Sequence, residues 1–189
     1  MPTPRLAALL TASLLVVTAC TDDGSDEPGG TTTDLSPLSS PTADETDVDH
    51  PAEGLDLVDP PTLEGVYQRA LQTYVDFERG RRLAPRTGKA GRLLSFNATA
   101  AVVDPYRRAL RTAPAAASYD GLVVVEFVDA QPRGGKLRLD LCVDGTGLTV
   151  PDGAPAVLGE ATRARQQVDV SNIEGLWRVT RAEPVDGSC

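Results

Sequence analysis

The titratable side chains of this chain limit the reactions that it could catalyse. The 189 residues contain one histidine, His50, which lies in an acidic stretch that we expect to be solvated. A serine or cysteine nucleophile activated by histidine, and the usual histidine metal sites, are therefore excluded after Pro60. We predict no metal site and no cofactor. Chemistry that uses only carboxylates remains open.

A carboxylate paired with a tyrosine donor is the catalytic alternative. Such a pair can carry out proton transfers of the isomerase or cyclase type without a cofactor. The candidates are Glu126, Asp129 or Asp169 as the base, with Tyr67 or Tyr106 as the donor. In the competing interpretation, these residues are solvated strand carboxylates and core tyrosines. We favour that interpretation and predict no catalytic residue.

The first twenty residues carry an export signal. An apolar run from Leu6 to Ala19 follows Arg5. As a helix it would span about 21 Å, which is short of the roughly 30 Å of a bilayer's hydrocarbon core. The run is therefore typical of a signal-peptide core, not of a membrane span.

The sequence Val17-Thr18-Ala19-Cys20, followed by a polar stretch, resembles the lipobox of bacterial lipoproteins. The resemblance implies a signal peptide over 1–19 and a diacylated Cys20, with acyl chains such as palmitate. It also implies attachment to the extracytoplasmic face of the cell membrane through this anchor. The alternative is an ordinary signal peptide with a coincidental cysteine.

The chain has two further cysteines, Cys142 and Cys189. If lipid occupies Cys20, this pair remains available for a disulfide in an oxidising compartment. The two residues lie near the ends of the second and fourth strands of a predicted four-strand meander. Those ends share one sheet edge about 9–10 Å apart, a distance that a short tail can cross. We predict a Cys142–Cys189 disulfide; the alternative is two free thiols.

The charge of the chain is unevenly distributed. Residues 21–59 contain 12 acidic side chains and no Lys or Arg, and they contain no Phe, Trp or Tyr. Such a segment cannot bury enough apolar surface to offset the entropy lost on ordering. We predict a lipidated, disordered acidic tether over residues 20–60 and a single domain over 61–189.

The domain begins with helical periodicity and ends with strand periodicity. Apolar residues recur every three or four positions from Leu63, after a start signal at Asp59-Pro60-Pro61-Thr62, and this helix is expected to end near Gly80. A partly helical stretch over 93–103 follows, and Asp104-Pro105 is expected to start another helix. Strands are predicted at 122–130, 136–144, 163–171 and 176–183, with turns at Gly134-Gly135 and at 172–175. The pattern predicts an α+β fold, with N-terminal helices packed on a curved antiparallel sheet.

This order of elements looks like the nuclear-transport-factor-2-like cone. The segment after Leu137 also resembles a largely uncharacterised family of actinobacterial lipoproteins. The motifs that carry the resemblance are Cys142-Val143-Asp144-Gly145-Thr146, Arg163-Ala164-Arg165-Gln166 and Leu176-Trp177-Arg178-Val179, with Cys189. The resemblance covers most of residues 60–189. It implies a fold and not a function, because many activities share this fold.

Basic residues are concentrated in one part of the domain. Residues 79–111 contain nine basic side chains and one acidic side chain, Asp104. We predict that the nine bases could contact an anionic surface; they are Arg79, Arg81, Arg82, Arg86, Lys89, Arg92, Arg107, Arg108 and Arg111. The candidate partners are anionic lipid headgroups, an anionic wall polymer or the acidic tether itself. Nucleic acid is not expected outside the cytoplasm. The alternative is a solvated surface whose counter-charges come from elsewhere in the fold.

These observations together predict a membrane-tethered, non-catalytic interaction or ligand-binding module of the cell envelope. Its partner would be an envelope protein or a small ligand. The isomerase-type enzyme and a purely structural envelope protein are the alternatives. An open pocket with a carboxylate inside it would favour the enzyme.

Overall fold

The computed structural model describes residues 49–113 and 119–189. A short strand, β1 (Leu55–Val58), precedes three helices: α1 (Val66–Thr87), α2 (Arg92–Asn97) and α3 (Ala100–Leu110). The remaining strands are β2 (Asp120–Gly121), β3 (Val123–Arg133), β4 (Lys136–Asp144), β5 (Leu148–Thr149), β6 (Arg163–Ile173) and β7 (Leu176–Pro184). Single 3-10 turns occur at Pro51–Glu53 and Ala156–Leu158. The fold is α+β, with a curved and mostly antiparallel sheet.

The main sheet has five strands in the order β1-β3-β4-β6-β7. β1 runs parallel to β3, and the other neighbours are antiparallel. β2 and β5 form a separate two-stranded sheet. The predicted β3–β4 turn is confirmed at Gly134-Gly135, where Gly134 has a φ of +57°. The predicted β6–β7 hairpin is also confirmed, with positive φ at Glu174 and Gly175.

One face of the main sheet, which we call the inner face, carries the hydrophobic core. The buried side chains alternate along β4, where Leu137, Leu139 and Leu141 are fully buried. α1 packs on this face, and the ring of Tyr74 meets Phe127 edge-on with centroids 5.9 Å apart. The intervening strand residues project to the opposite, outer face.

Two helix boundaries differ from the prediction. α1 continues through Gly80 to Thr87. Gly80 does not end the helix; its missing side chain leaves room for α2 to pack closely against α1. A Cβ at Gly80 would lie 2.3 Å from the backbone nitrogen of Leu94. Asp104 does not start a helix but lies inside α3, where its carboxylate pairs with Arg107 at 2.9 Å.

The predicted boundary between tether and domain is wrong. Leu55–Val58 pairs in parallel register with Val123–Glu126, and Leu55 is fully buried. Glu53 accepts two hydrogen bonds of 2.8 Å from Arg79 of α1. The acidic composition concealed a short apolar strand that completes the sheet edge, so the folded domain includes residues from Asp49 onward.

His50 therefore lies at the edge of the domain and not in a solvated tether. Its Nδ1 is 3.6 Å from Glu53, and its backbone bonds to that of Leu55. The predicted signal peptide, Cys20 and the tether up to residue 48 lie outside the described residues. Within the described ranges, no helix is long and apolar enough to cross a membrane.

Candidate functional site

A cavity of about 310 Å³ opens between the helices and one end of the main sheet. Arg81 and Arg82 of α1 and Tyr106 of α3 form one wall. The inner face of β4, β6 and β7 forms the opposite wall, and the loop around the Ala156–Leu158 turn closes a third side. The sheet and loop contribute Val143, Val157, Ala164, Gln166, Ala182 and Pro184. The cavity thus has a basic helical wall and a largely apolar sheet wall.

Glu78, Arg81 and Arg82 form an ionic cluster at the helical wall. Their spacing of three and four residues places them on one face of α1. The side chain of Glu78 is completely buried, and those of Arg81 and Arg82 are 14% and 7% exposed. Arg81 donates to one carboxylate oxygen at 2.8 Å, and Arg82 donates to the other at 2.6 Å. Both oxygens of Glu78 are therefore engaged by guanidinium groups.

This cluster carries a net positive charge. Burial alone would raise the pKa of Glu78, but the charges and hydrogen bonds of the two arginines outweigh burial and lower it. Burial likewise acts against the charge of Arg81, and the Glu78 carboxylate reverses that effect and raises the Arg81 pKa. The lowered pKa keeps the Glu78 carboxylate negatively charged, and guanidinium groups stay protonated in proteins. One of the two positive charges therefore has no counter-charge inside the cluster.

The arginines also retain unused hydrogen-bond donors. The guanidinium of Arg81 lies 5.8 Å from the ring centroid of Phe77 and 5.9 Å from that of Tyr106, and its Nη1 is 3.4 Å from Gln166 Oε1. The Nε atoms of Arg81 and Arg82 are buried and have no hydrogen-bond partner among residues 49–113 and 119–189. Because a guanidinium has five N–H donors, both arginines have donating capacity beyond Glu78.

The carboxylates that the sequence suggested as bases are not in this cavity. Asp169 is buried on the outer face and pairs with Arg138 at 3.0 Å. Glu126 also lies on the outer face, half-exposed and 3.5 Å from Arg163. Asp129 is exposed, and its carboxylate accepts hydrogen bonds from the Ala130 backbone and the Gln131 side chain.

The two candidate donors lie in different places. Tyr106 lines the cavity, whereas the hydroxyl of Tyr67 donates to the backbone oxygen of Gly134 at 2.7 Å. No predicted carboxylate–tyrosine pair is therefore brought together at the cavity.

The nine basic residues of the sequence fall into three groups. Two of them, Arg81 and Arg82, line the cavity. Three others pair with carboxylates outside the cavity; these are Arg79 with Glu53 and Asp76, Arg86 with Asp120 and Arg107 with Asp104. Four are exposed and form no ion pair within the described residues, namely Lys89, Arg92, Arg108 and Arg111. Five of the nine therefore have a carboxylate partner, and Arg81 and Arg82 share theirs.

Cys142 and Cys189 form a disulfide, with Cα atoms 5.5 Å apart. Strand order places β6 between β4 and β7, so the segment after Pro184 crosses β6 to reach Cys142. The Val185 amide donates to the Arg165 backbone oxygen at 3.1 Å during this crossing. The bridge therefore fastens the segment that follows β7, whose Pro184 lines the cavity.

Glu78 is the site residue that the sequence analysis missed. The segment Glu78-Arg79-Gly80-Arg81-Arg82 places an acid three and four residues before two arginines, which is the spacing of intrahelical ion pairs. That signal was lost because the helix was expected to end at Gly80. Once the helix continues, the spacing places all three charges on one face.

Within residues 49–113 and 119–189, no three His, Cys, Asp or Glu side chains converge in a way that could hold a metal ion. A scan against protein-family models finds no match to this chain, and a search of curated proteins finds no significant relative.

Proposed function

We propose that this chain is a lipid-anchored protein of the cell envelope whose domain binds a small molecule without transforming it. The observation that carries the proposal is the cavity of about 310 Å³ with a buried, positively charged cluster in its wall. Its volume is at the lower end of the roughly 300–1,000 Å³ that small-molecule sites occupy. Apolar walls with a few converging polar groups are also typical of such sites.

The state of Glu78 favours binding over catalysis. A general base works best when its pKa is near the operating pH and it can reach the substrate. Glu78 has a lowered pKa and gives both oxygens to arginines. The other carboxylate at the cavity among the described residues, Glu160, is exposed to solvent. The isomerase-type alternative therefore has no buried carboxylate that is free to act as a base.

The cluster also argues against a purely structural role. Removing charges from water costs free energy that a buried ion pair does not always recover. A protein that needed only a packed core would gain nothing from a second buried arginine without its own counter-charge. A binding site has a use for such a charge.

The proposal also covers the cellular location and the fold family of the protein. We infer an anchor at Cys20 from the lipobox-like segment, and the Cys142–Cys189 disulfide fits the oxidising environment outside the cytoplasm. We also propose that the fold is a nuclear-transport-factor-2-like cone, because helices covering the concave face of a curved sheet leave a cavity at one end. An envelope protein that docks on the exposed basic residues remains a second possible partner.

Dye binding tests the proposed cavity. The protein from Thr21 onward keeps the whole described core, and the dyes are neutral N-phenyl-1-naphthylamine and anionic 8-anilinonaphthalene-1-sulfonate. We expect saturable binding of at least one dye at one site per chain. Ala182→Phe should fill the cavity from β7 and abolish dye binding. Glu183→Phe, on the outer face, should leave dye binding unchanged. Binding of neither dye, or equal binding to Ala182→Phe, would refute the proposal.

A further inference from the structure

We propose that the cavity takes a small amphiphile with a single negative charge, its carboxylate on Arg81 and Arg82 and its apolar body against the sheet. This inference rests on the proposed binding function and specifies the class of ligand. Three properties of the cavity support it: its charge, its free donors and the asymmetry of its walls.

The charge of the buried cluster calls for one negative charge. Two guanidinium groups share one carboxylate, and all three side chains are at least 86% buried. A monoanion would neutralise the remaining positive charge, whereas a dianion would leave a buried excess of negative charge. Glu160 at the cavity rim is exposed, so its charge is screened by water. Arg165, whose backbone is opposite Cys142, also borders the cavity. Its positive charge offsets that of Glu160, so the excess of one positive charge remains.

The free donors fit a carboxylate. Arg82 gives one hydrogen bond to Glu78 and no other within the described part of the chain, and its Nε is buried without a partner. A buried donor without an acceptor costs free energy. A ligand oxygen that accepts a hydrogen bond from this guanidinium removes that cost, so it contributes more to the binding free energy than one that accepts from an exposed arginine. The planar fork of arginine matches the two oxygens of a carboxylate.

The walls assign the two ends of the ligand. The charged groups are on the α1 side, and the β-sheet and loop side presents Val143, Val157, Ala182 and Pro184. An aliphatic chain that extends from the carboxylate would contact these side chains and remove their surface from water. A small, wholly polar anion would leave this wall unused.

A series of eight-carbon amphiphiles tests the charge requirement by isothermal titration of the protein from Thr21 onward. We expect octanoate to bind at least about tenfold more tightly than neutral octanol, because a charge-assisted hydrogen bond is lost with octanol. Octyl phosphate, largely a dianion at pH 7.5, should bind more weakly than octanoate. The dyes of the previous section serve as displacement probes for all three compounds.

Matched variants assign the preference to the cluster. Arg82→Gln leaves a neutral Arg81–Glu78 pair, so the preference for octanoate over octanol should largely disappear. Arg108→Gln removes the same charge from an exposed position and should leave the preference unchanged. If Arg82→Gln fails to fold in a circular dichroism melt, Arg81→Gln replaces it with the same expectation.

The possible results separate the two proposals. Equal binding of octanol and octanoate, or tighter binding of octyl phosphate, would overturn the inferred ligand class and leave a binding cavity in place. A preference that survives both arginine substitutions would also overturn it. If neither the dyes nor any of the amphiphiles bind, the proposed function fails as well.

Discussion

Two tyrosines of α1 place their hydroxyl groups in opposite situations. The hydroxyl of Tyr74 is fully buried and has no hydrogen-bond partner in the described part of the chain. Burial raises its pKa well above the ordinary value, with a smaller contribution from the nearby Glu78 charge. The hydroxyl of Tyr67 donates to the Gly134 backbone oxygen. The two side chains share a helix and a chemistry but differ in whether the hydroxyl is satisfied.

We expect Tyr74→Phe to leave the free energy of unfolding unchanged or to raise it by up to about 1 kcal/mol, since it removes an unsatisfied buried hydroxyl. Tyr67→Phe should lower it by about 1 kcal/mol, because the substitution removes a hydrogen bond. Urea unfolding of the two variants and the parent protein measures both values. A larger loss for Tyr74→Phe than for Tyr67→Phe would contradict the assignment of an unpartnered hydroxyl.

The buried Glu78 makes the free energy of unfolding depend on pH. Its pKa in the folded protein lies below the unfolded value, so its contribution is fully present above the unfolded pKa of about 4.3 and is lost as the pH falls through the folded pKa. Glu78→Gln should cost about 3–5 kcal/mol at pH 7, because it leaves two arginines without their carboxylate. Its unfolding free energy should then decline less steeply than that of the parent protein between pH 5 and pH 3.

Chemical denaturation at several pH values measures this difference. Glu183→Gln is the control, because Glu183 pairs with Arg181 on the surface and its loss should change stability little. Parallel pH profiles for Glu78→Gln and the parent protein would show that Glu78 is not the ionised centre of the cluster.

At the level of secondary structure, the disulfide joins β4 to the segment after β7, a strand that does not hydrogen-bond to β4. β4 and β7 flank β6, and the bridge between Cys142 and Cys189 closes a loop with a sequence separation of 47. Cys142 itself is nearly fully buried. The bridge therefore adds a constraint across the sheet that the strand ladder does not provide.

Reduction of this bridge should lower the free energy of unfolding by up to about 4 kcal/mol on the chain-entropy estimate for a loop of this length. Thermal melts with and without dithiothreitol measure the effect. The Cys142→Ala, Cys189→Ala double variant should melt at the lower temperature in both buffers. Two thiols that react with iodoacetamide in the folded, unreduced protein would contradict the bridge.

Elements with strong local periodicity could be predicted from the sequence. The alternation of Leu137, Leu139 and Leu141 with charged residues fixed which face of β4 is buried. The Gly134-Gly135 pair located the hairpin. These signals are local, because the pleat turns every second side chain to the same side.

Elements that depend on distant partners could not be predicted. The strand Leu55–Val58 is four residues long and lies among acids, and its pairing with β3 is set by residues more than 60 positions away. The cavity likewise forms from α1, α3 and three strands. The sequence identified Arg81 and Arg82 only as members of a basic group. Their burial in the cavity wall distinguishes them from the exposed bases, and that burial depends on tertiary packing.

For the whole molecule, charge divides between the segment 21–48 and the domain. That segment contains eight acids and no base. Four of the nine basic side chains between Arg79 and Arg111 are exposed and have no ion pair within the described residues, namely Lys89, Arg92, Arg108 and Arg111. An acidic segment joined to such a surface would compete with an external anion for it. Single exposed pairs contribute only about 0–1 kcal/mol, so such competition must be collective.

We therefore expect a protein whose eight acids at 21–48 are replaced by Asn or Gln to bind anionic vesicles more tightly than the parent protein. Both would begin at Thr21, since removing residues up to 60 would delete β1. The difference should shrink as salt rises, because exposed charges are screened beyond about 8 Å at physiological ionic strength. Co-sedimentation with phosphatidylglycerol vesicles at low and high salt measures it.

Replacing the four exposed bases by Gln in the neutralised protein provides the control, and should abolish binding. Equal sedimentation of the parent and neutralised proteins at low salt would remove the idea of self-masking. If neither protein sediments with the vesicles, the hypothesis that the domain binds an anionic surface is also refuted.

The position of β1 has a mechanical consequence. Residues 1–48 join the domain at Asp49, so any tension carried along that segment reaches the fold through β1 first. There it meets a ladder of four register pairs at a sheet edge, together with the Glu53–Arg79 ion pair that fastens the preceding turn to α1. If this ladder gives way, the inner ladders β3–β4, β4–β6 and β6–β7 are still intact, and the Cys142–Cys189 bridge still ties β4 to the segment after β7. We therefore expect β1 to detach from the sheet before the other strands when the segment is pulled, while the strands that line the cavity stay paired.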